Sequence, residues 1–302
     1  EVGALLKSQL PTAVGPDGIL RPSGANLKVR NKEITAALGQ VDREAIASKP
    51  QLQDLARRLE DLCDVNARRI FTTTPSAFNL DTALNNHVYC NIVLHALGVH
   101  IKPDPPTHCC TCEQQYTPEH PHCCITERRK AVTTRHDCLV SALVYILKLA
   151  GLAAVPEPKP NIASGESNLK PDILVTSADK KSFTIDTSVV HTTAPSYVKT
   201  NVKSQLQNRA NAKTSKYKAR EESLGRDFVP FVLSSFGTFH SSALQLLDKI
   251  AEHARLRNLT WCKHAFRKQA IRRLLYTLHL GNSAVLEYSW NVQMNAIQPI
   301  LE

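Results

Sequence analysis

The stretch KPDILVTSADKKSFTIDTSVV, from Lys170 to Val190, decides how this chain is read. Two β-branched runs, ILVT and SFTIDTSVV, flank a charged polar link, the pattern of two strands joined by a turn. A turn centred near Asp179 sets Asp172 directly opposite Asp186. Opposed residues share a face of the sheet, with Cβ atoms about 5 Å apart. Two carboxylates that close repel unless a proton or a cation lies between them. Mg²⁺ (or Mn²⁺) is the natural cation, being hard, oxygen-loving and able to retain water.

The flanking sequence extends the constellation. A divalent ion between two acids can polarise a phosphodiester and supply a hydroxide-like nucleophile. Metal-dependent nucleases often place a lysine two residues after the second acid; here that position is Ser188. The next segment, up to Gly225, reads as a long basic helix. Arg209, Lys213, Lys216 and Arg220 form one basic stripe on it, while Leu206, Ala210 and Tyr217 form an apolar stripe that can dock on the hairpin. The expected lysine therefore comes from this helix, Lys216 first and Lys213 second. Glu157 in VPEPKP is a candidate third acid. Arg135, read as opening a helix RHDCLVSALVYILKLAGL that stops at Gly151, is a candidate phosphate ligand, with Asp137 a candidate cap. His136 and His191 read as local hydrogen-bonding residues.

Nearer the N-terminus, CCTCEQQYTPEHPHCC spans Cys109 to Cys124 and holds five of the nine cysteines. That crowding argues for a metal site rather than a disulfide framework. Cys109 and Cys112 can grip one Zn²⁺ from a tight turn, and His120 and Cys124 complete a tetrahedron. Cys110, Cys123 and His122 are alternatives within the same cluster. The spacing is that of a closed structural site.

The remaining pattern is mostly helical. Leu52, Leu55, Leu59 and Leu62 make an apolar stripe within a helical region from about Asn31 to Ile70, with Arg57, Arg58, Glu60 and Asp61 off it. TTTPSAF breaks that helix, and Leu84 to Leu97 reads as the next. DFVPFVLSSFG reads as a strand from Asp227, followed by helices at Ser242–Asn258 and about Thr260–Leu280. The net charge of +10 in 302 residues favours a polyanionic partner. No apolar run is long enough to span a bilayer, so no membrane partner is expected.

In order, ARRIFTTTPSAFNLDTALNNHVYCNIVLHALGV, the Cys109/Cys112/His120/Cys124 cluster, RHD at 135–137, EP at 157–158, KPD at 170–172, IDTSVVHTTAPSY from 185, KTSKYK from 213, DFVPFVLSSFG from 227 and LHLGN near 278–282 form a specific string. It resembles the C-terminal region of site-specific non-LTR retrotransposon polyproteins. In these, a CCHC zinc knuckle and a restriction-like endonuclease of the PD-(D/E)xK class follow the reverse transcriptase. The resemblance covers about Ala67 to Asn282. It implies an α/β fold with a restriction-endonuclease-like core, a mixed sheet flanked by helices, preceded by a helical segment and a zinc knuckle. The expected division is a helical linker region over 1–100, the knuckle over 101–130 and the nuclease over 131–302.

The implied activity is a DNA nick that primes reverse transcription. The PD aspartate falls on Asp172, the second acid on Asp186 and the displaced lysine on Lys216 or Lys213. Implied partners are DNA, element RNA and the reverse transcriptase portion of the same polyprotein, in the nucleus. No Asp-Asp dipeptide of the polymerase type occurs in the chain. The alternative reading is a catalytically inactive, domesticated zinc-containing module that binds nucleic acid.

Overall fold

A computed structural model describes residues 53–72, 84–124, 126, 128–158, 170–177, 181–197 and 200–297. The expectations for 1–52, for TTTPSAF beyond Thr72 and for the turn at Asp179 lie outside the described residues. The chain divides into two compact units. The first takes residues up to Val132, 193–198 and Asn282 onward; the second takes Thr133–Thr192 and Lys199–Gly281.

The second unit is built on a four-stranded mixed sheet of order β1-β2-β3-β4, comprising β1 (Ala153–Pro156), β2 (Ile173–Thr176), β3 (Ser182–Val190) and β4 (Asp227–Ser234). β1–β2 and β2–β3 pair antiparallel, and β3–β4 pair parallel. The hairpin register joins Ile173 to Ile185, the register that the turn at Asp179 requires. β1 is an edge strand with no counterpart among the sequence expectations; in it Ala154 pairs with Val175. Side chains then alternate. Ile173, Val175, Ile185, Phe231 and Leu233 point into the core and are fully buried. Asp186 and Ser188 point to the other face.

Helices cover both faces. The core face is filled by α5 (Arg128–Leu149), α7 (Ser241–Leu256) and the first part of α8 (Lys263–Ile297), through Leu143, Leu147, Leu247, Ile271, Leu274 and Leu278. α6 (Val202–Ser223) packs on β3 and β4. The Asn201 side chain caps α6 by accepting from the Ser204 N–H at 2.8 Å. Its apolar stripe is buried, with Leu206 and Ala210 at 2 % exposure and Tyr217 at 4 %. α5 starts at Arg128, upstream of the expected Arg135, so Asp137 lies inside the helix and caps nothing. α8 runs on to Ile297, past the expected stop near Leu280.

In the first unit, α1 (Gln53–Leu62) packs on α3 (Asn86–Leu97), with α2 (Arg69–Thr72) between them in sequence. Leu55, Leu59 and Leu62 are buried as the stripe requires. Arg58 and Asp61, expected off the stripe, are buried too. Arg58 forms an ion pair with Glu119, which explains how an arginine tolerates the interior. Gly98 closes α3 with φ at 67°, and a Cβ there would collide with the Arg58 guanidinium. The Asn91 amide donates to Ser283 Oγ at 2.9 Å and Glu287 Oε1 at 2.6 Å on the last turns of α8. No described helix is long and apolar enough to cross a membrane.

His279 on α8 is 2 % exposed, and burial pushes its imidazole down to about 4. The folded chain therefore resists protonating a group that the unfolded chain protonates near 6.5. Stability is fully present above about pH 6.5 and is lost progressively as pH falls toward 4, by roughly 3 kcal/mol in total. His279→Leu is expected to flatten that part of the pH profile. Urea midpoints of both proteins at pH 7.5 and pH 5 check it; parallel declines in the two proteins would remove His279 as the cause.

Candidate active site and metal cluster

Asp172 immediately precedes β2, and Asp186 lies at the middle of β3. The register carries them to opposite positions on one face, because Ile173–Ile185 is the adjacent pair. Asp186 is 2 % exposed. Asp172 Oδ2 accepts a 2.5 Å hydrogen bond from the Thr187 N–H, which locks the first acid to the strand carrying the second.

The helix α6 delivers the cation. Lys213 Nζ stands 2.6 Å from Asp186 Oδ2. Lys216, the first choice on sequence, instead places its ammonium 4.8 Å from the centroid of the Tyr217 ring. The seam explains the order: Lys213 follows Leu206 by seven residues and precedes Tyr217 by four, so it falls on the buried stripe, whereas Lys216 lies beside it. Arg209 reaches the same face one strand position on, its Nε donating to Ser188 Oγ at 2.7 Å. Ser188, the position two residues after the second acid, is thus itself held from the helix. Tyr217 donates to the Lys170 carbonyl at 3.2 Å and stacks on Phe228, which closes the end of the seam.

Burial pushes the Asp186 carboxyl above the usual range, and the Asp172 charge adds to the rise. Lys213 and Tyr217 oppose that rise without cancelling it. The two acids thus crowd more negative charge than one lysine offsets, and their hard oxygens are the donors a divalent cation takes.

His136, near the start of the second unit on α5, is a residue that sequence reasoning set aside. Its Nε2 lies 3.3 Å from Asp172 Oδ1. The hydrogen bond to Asp172 holds the imidazole above its ordinary pKa against the opposing effect of burial. The sequence signal was available, since His136 sits in the RHD motif already singled out.

Three expected residues are placed differently. Glu157 has an exposed side chain and a left-handed backbone with φ at 42°. Its N–H bonds to the Asp172 carbonyl at 2.7 Å, so it fixes the Asp172 backbone. Among the described residues its carboxylate does not gather with Asp172 and Asp186 into a three-ligand group. Arg135 is inside α5, 5 % exposed, and is packed so closely on Gly281 that a Cβ there would collide with its Cγ. That burial takes it off the surface where a phosphate contact was expected. Arg220 lies 3.5 Å from the buried carboxylate of Glu221, an internal charge partner.

The Cys/His cluster forms a separate centre in the first unit. The Cys109 N–H bonds to the Gln114 carbonyl at 2.8 Å, and the Glu113 N–H to the Cys109 carbonyl at 2.9 Å. Glu113, with φ at 59°, turns the chain so that Cys109 and Cys112 face one point. The short helix α4 (His120–Cys123) supplies His120, and the Cys124 N–H bonds to the His120 carbonyl at 2.8 Å. The ligand atoms of Cys109, Cys112, His120 and Cys124 all lie within 4.8 Å of one another.

Cys112 Sγ is 3.8 Å from Cys124 Sγ and 3.5 Å from His120 Nε2. A tetrahedron with metal–sulfur bonds of about 2.3 Å has edges of about 3.8 Å, so these four residues could hold an ion such as zinc. Cys110 is exposed, and His122 instead packs its ring 4.5 Å from that of His95. Desolvation, with the neighbouring Cys109 and Cys124 thiols, pushes the Cys112 thiol up to about 11, against the Gln114 backbone. Without a cation the Cys112 side chain therefore stays a protonated thiol. The Gln293 side chain on α8 donates to Cys109 Sγ at 3.5 Å, and its oxygen accepts from the Cys110 N–H at 2.8 Å.

No protein-family model and no curated protein matches this chain.

Proposed function

We propose that this chain is a Mg²⁺- or Mn²⁺-dependent DNA endonuclease of the restriction-like kind found in site-specific non-LTR retrotransposons, nicking its target to prime reverse transcription. The observation that carries the reading is the trio of Asp172, Asp186 and Lys213, drawn from the residue before β2, from β3 and from α6, with Lys213 at 2.6 Å from Asp186. Asp172 and Asp186 are the residues that would hold the cation. When bound, it would polarise the scissile phosphate and lower the pKa of an attacking water. The Thr187 N–H and His136 orient Asp172. The Lys213 ammonium balances charge on Asp186 and, with substrate present, on the phosphate oxygens. Arg209 fixes Ser188 beside them.

Cys109, Cys112, His120 and Cys124 would carry structural zinc as a CCHC knuckle. The net charge of +10 suits DNA and element RNA as partners. The reverse transcriptase of the same polyprotein, acting in the nucleus, would extend the nick.

Supercoiled plasmid is the test. The wild-type chain is expected to convert it to open circles with Mg²⁺ or Mn²⁺ and to leave it intact without them. Lys213→Ala is expected to slow nicking by about a hundredfold or more, the scale of losing one aligned charge at a developing anion. Lys216→Ala is expected to stay within a few-fold of wild type, a difference read from initial rates at one metal concentration. Wild-type protein that binds DNA yet never nicks would leave the nucleic-acid-binding module as the function.

A further inference from the structure

The connection between α7 and α8 exposes an aromatic side chain that the fold does not use. Trp261 is 92 % exposed, the most open of the large apolar side chains among the described residues. It does not sit on a frayed end. Asn258 turns the chain with φ at 57°, and the Leu259 N–H bonds back to the Ala254 carbonyl at 2.9 Å. Thr260 Oγ1 accepts from the Cys262 N–H at 3.3 Å, just before α8 begins. Leu259 lies against Gly151 at the end of α5, where a Cβ would meet its Cδ1 at 2.8 Å. The turn is therefore anchored on one side and presents Trp261 on the other.

The surroundings are cationic. From Arg255 to Arg273 the sequence RLRNLTWCKHAFRKQAIRR has seven Lys and Arg and no Asp or Glu. Glu252 pairs with Arg255 and Lys263, and Asp248 with Arg267. Arg273 packs 3.9 Å from the Tyr145 ring centroid. Arg257 and Lys268 are exposed on either side of Trp261 in sequence. A protein-binding hot spot has a core depleted of charge. An exposed indole on an anchored turn, with cations along the same stretch, instead matches a single strand of nucleic acid, which offers a flat ring and a phosphate at every nucleotide.

We infer that Trp261 is a stacking platform for an unpaired base of single-stranded DNA, with Arg257 and Lys268 taking the adjoining phosphates. The inference rests on the DNA reading above and adds a second contact site to it.

The chain has two tryptophans, Trp261 and Trp290, so Trp290→Phe leaves Trp261 as the sole indole reporter. Titrating that variant with oligothymidylate in Mg²⁺-free buffer is expected to quench the indole emission. In the otherwise native chain, Trp261→Ala is expected to weaken oligothymidylate binding about tenfold, within the range for losing one stacked base. Trp261→Phe is expected to recover most of that loss, and blunt duplex binding is expected to change less than the single strand. Absent quenching together with unchanged single-strand affinity in Trp261→Ala would overturn the inference. So would equal losses on duplex and single strand, a loss confined to oligouridylate RNA, or self-association of the chain that Trp261→Ala abolishes. The titration reads binding and not cleavage. Quenching without plasmid nicking would sink only the endonuclease reading, and nicking without quenching only the stacking platform.

Discussion

Asp186→Asn is expected to abolish plasmid nicking, by about a thousandfold or more, while leaving DNA binding near wild type. The carboxylate is buried, faces Asp172 across the hairpin and receives Lys213 at 2.6 Å, so its charge would join a bound divalent ion to the lysine. The amide keeps the shape and removes the charge that a divalent ion needs. Asp172→Asn is expected to act in the same direction.

The same substitution is expected to raise the thermal midpoint when no divalent ion is added. Burial and the Asp172 charge raise the folded pKa of Asp186 above its unfolded value of 3.8. An acid shifted upward costs stability at neutral pH, and the cost disappears as pH falls from the raised value through 3.8. An uncharged side chain removes that cost at every pH. Nicking rates, gel-shift affinity and thermal melting of the two proteins at pH 7.5 give the three readings. Normal nicking by Asp186→Asn would end the assignment of this carboxylate as a metal ligand.

Removing the cluster metal is expected to have the second large effect. Zinc binding to small finger peptides is worth about 10–16 kcal/mol at neutral pH, more than most domains have in total stability. Cys112 sits between Cys124 Sγ at 3.8 Å and His120 Nε2 at 3.5 Å, so Cys112→Ser removes one vertex of the four-ligand set. The variant is expected to purify with less than one zinc per chain. Its amides over residues 107–124 are expected to exchange orders of magnitude faster, because that segment has a core of only Cys109, Tyr116 and Cys124 with Cys112 beside it. A zinc-selective chelator added to the wild type is expected to reproduce both changes. Unchanged exchange after the metal is gone would show that the fold, and not an ion, arranges the four ligands.

The hairpin was legible because strand alternation leaves little freedom once a turn is located: a one-residue slip would have put Asp172 and Asp186 on opposite faces. The α6 seam was legible for the same reason, through Leu206, Ala210 and Tyr217. The choice between Lys213 and Lys216 was also present in that seam, since only Lys213 continues its spacing from Leu206 to Tyr217. β1 escaped because a four-residue edge strand that ends in a proline carries no periodicity. The far half of α8 escaped because Gly281 and Asn282 look like a helix stop. The helix continues there because Gly281 makes room for Arg135, a packing reason that no local pattern records. Arg58 misled similarly: its partner Glu119 lies far along the chain. Lone charged residues reveal their partners only when the tertiary contact is known.

The two acids and the ammonium beside them come from different parts of the chain: Asp172 precedes β2, Asp186 lies in β3 and Lys213 in α6. The trio exists only while α6 is seated. Shaving the helix underside, for instance at Ala210 or Leu206, would displace Lys213 without altering any charged group. On the endonuclease proposal, nicking would then depend on how α6 docks, and a mutation in that packing alone would be expected to lower it.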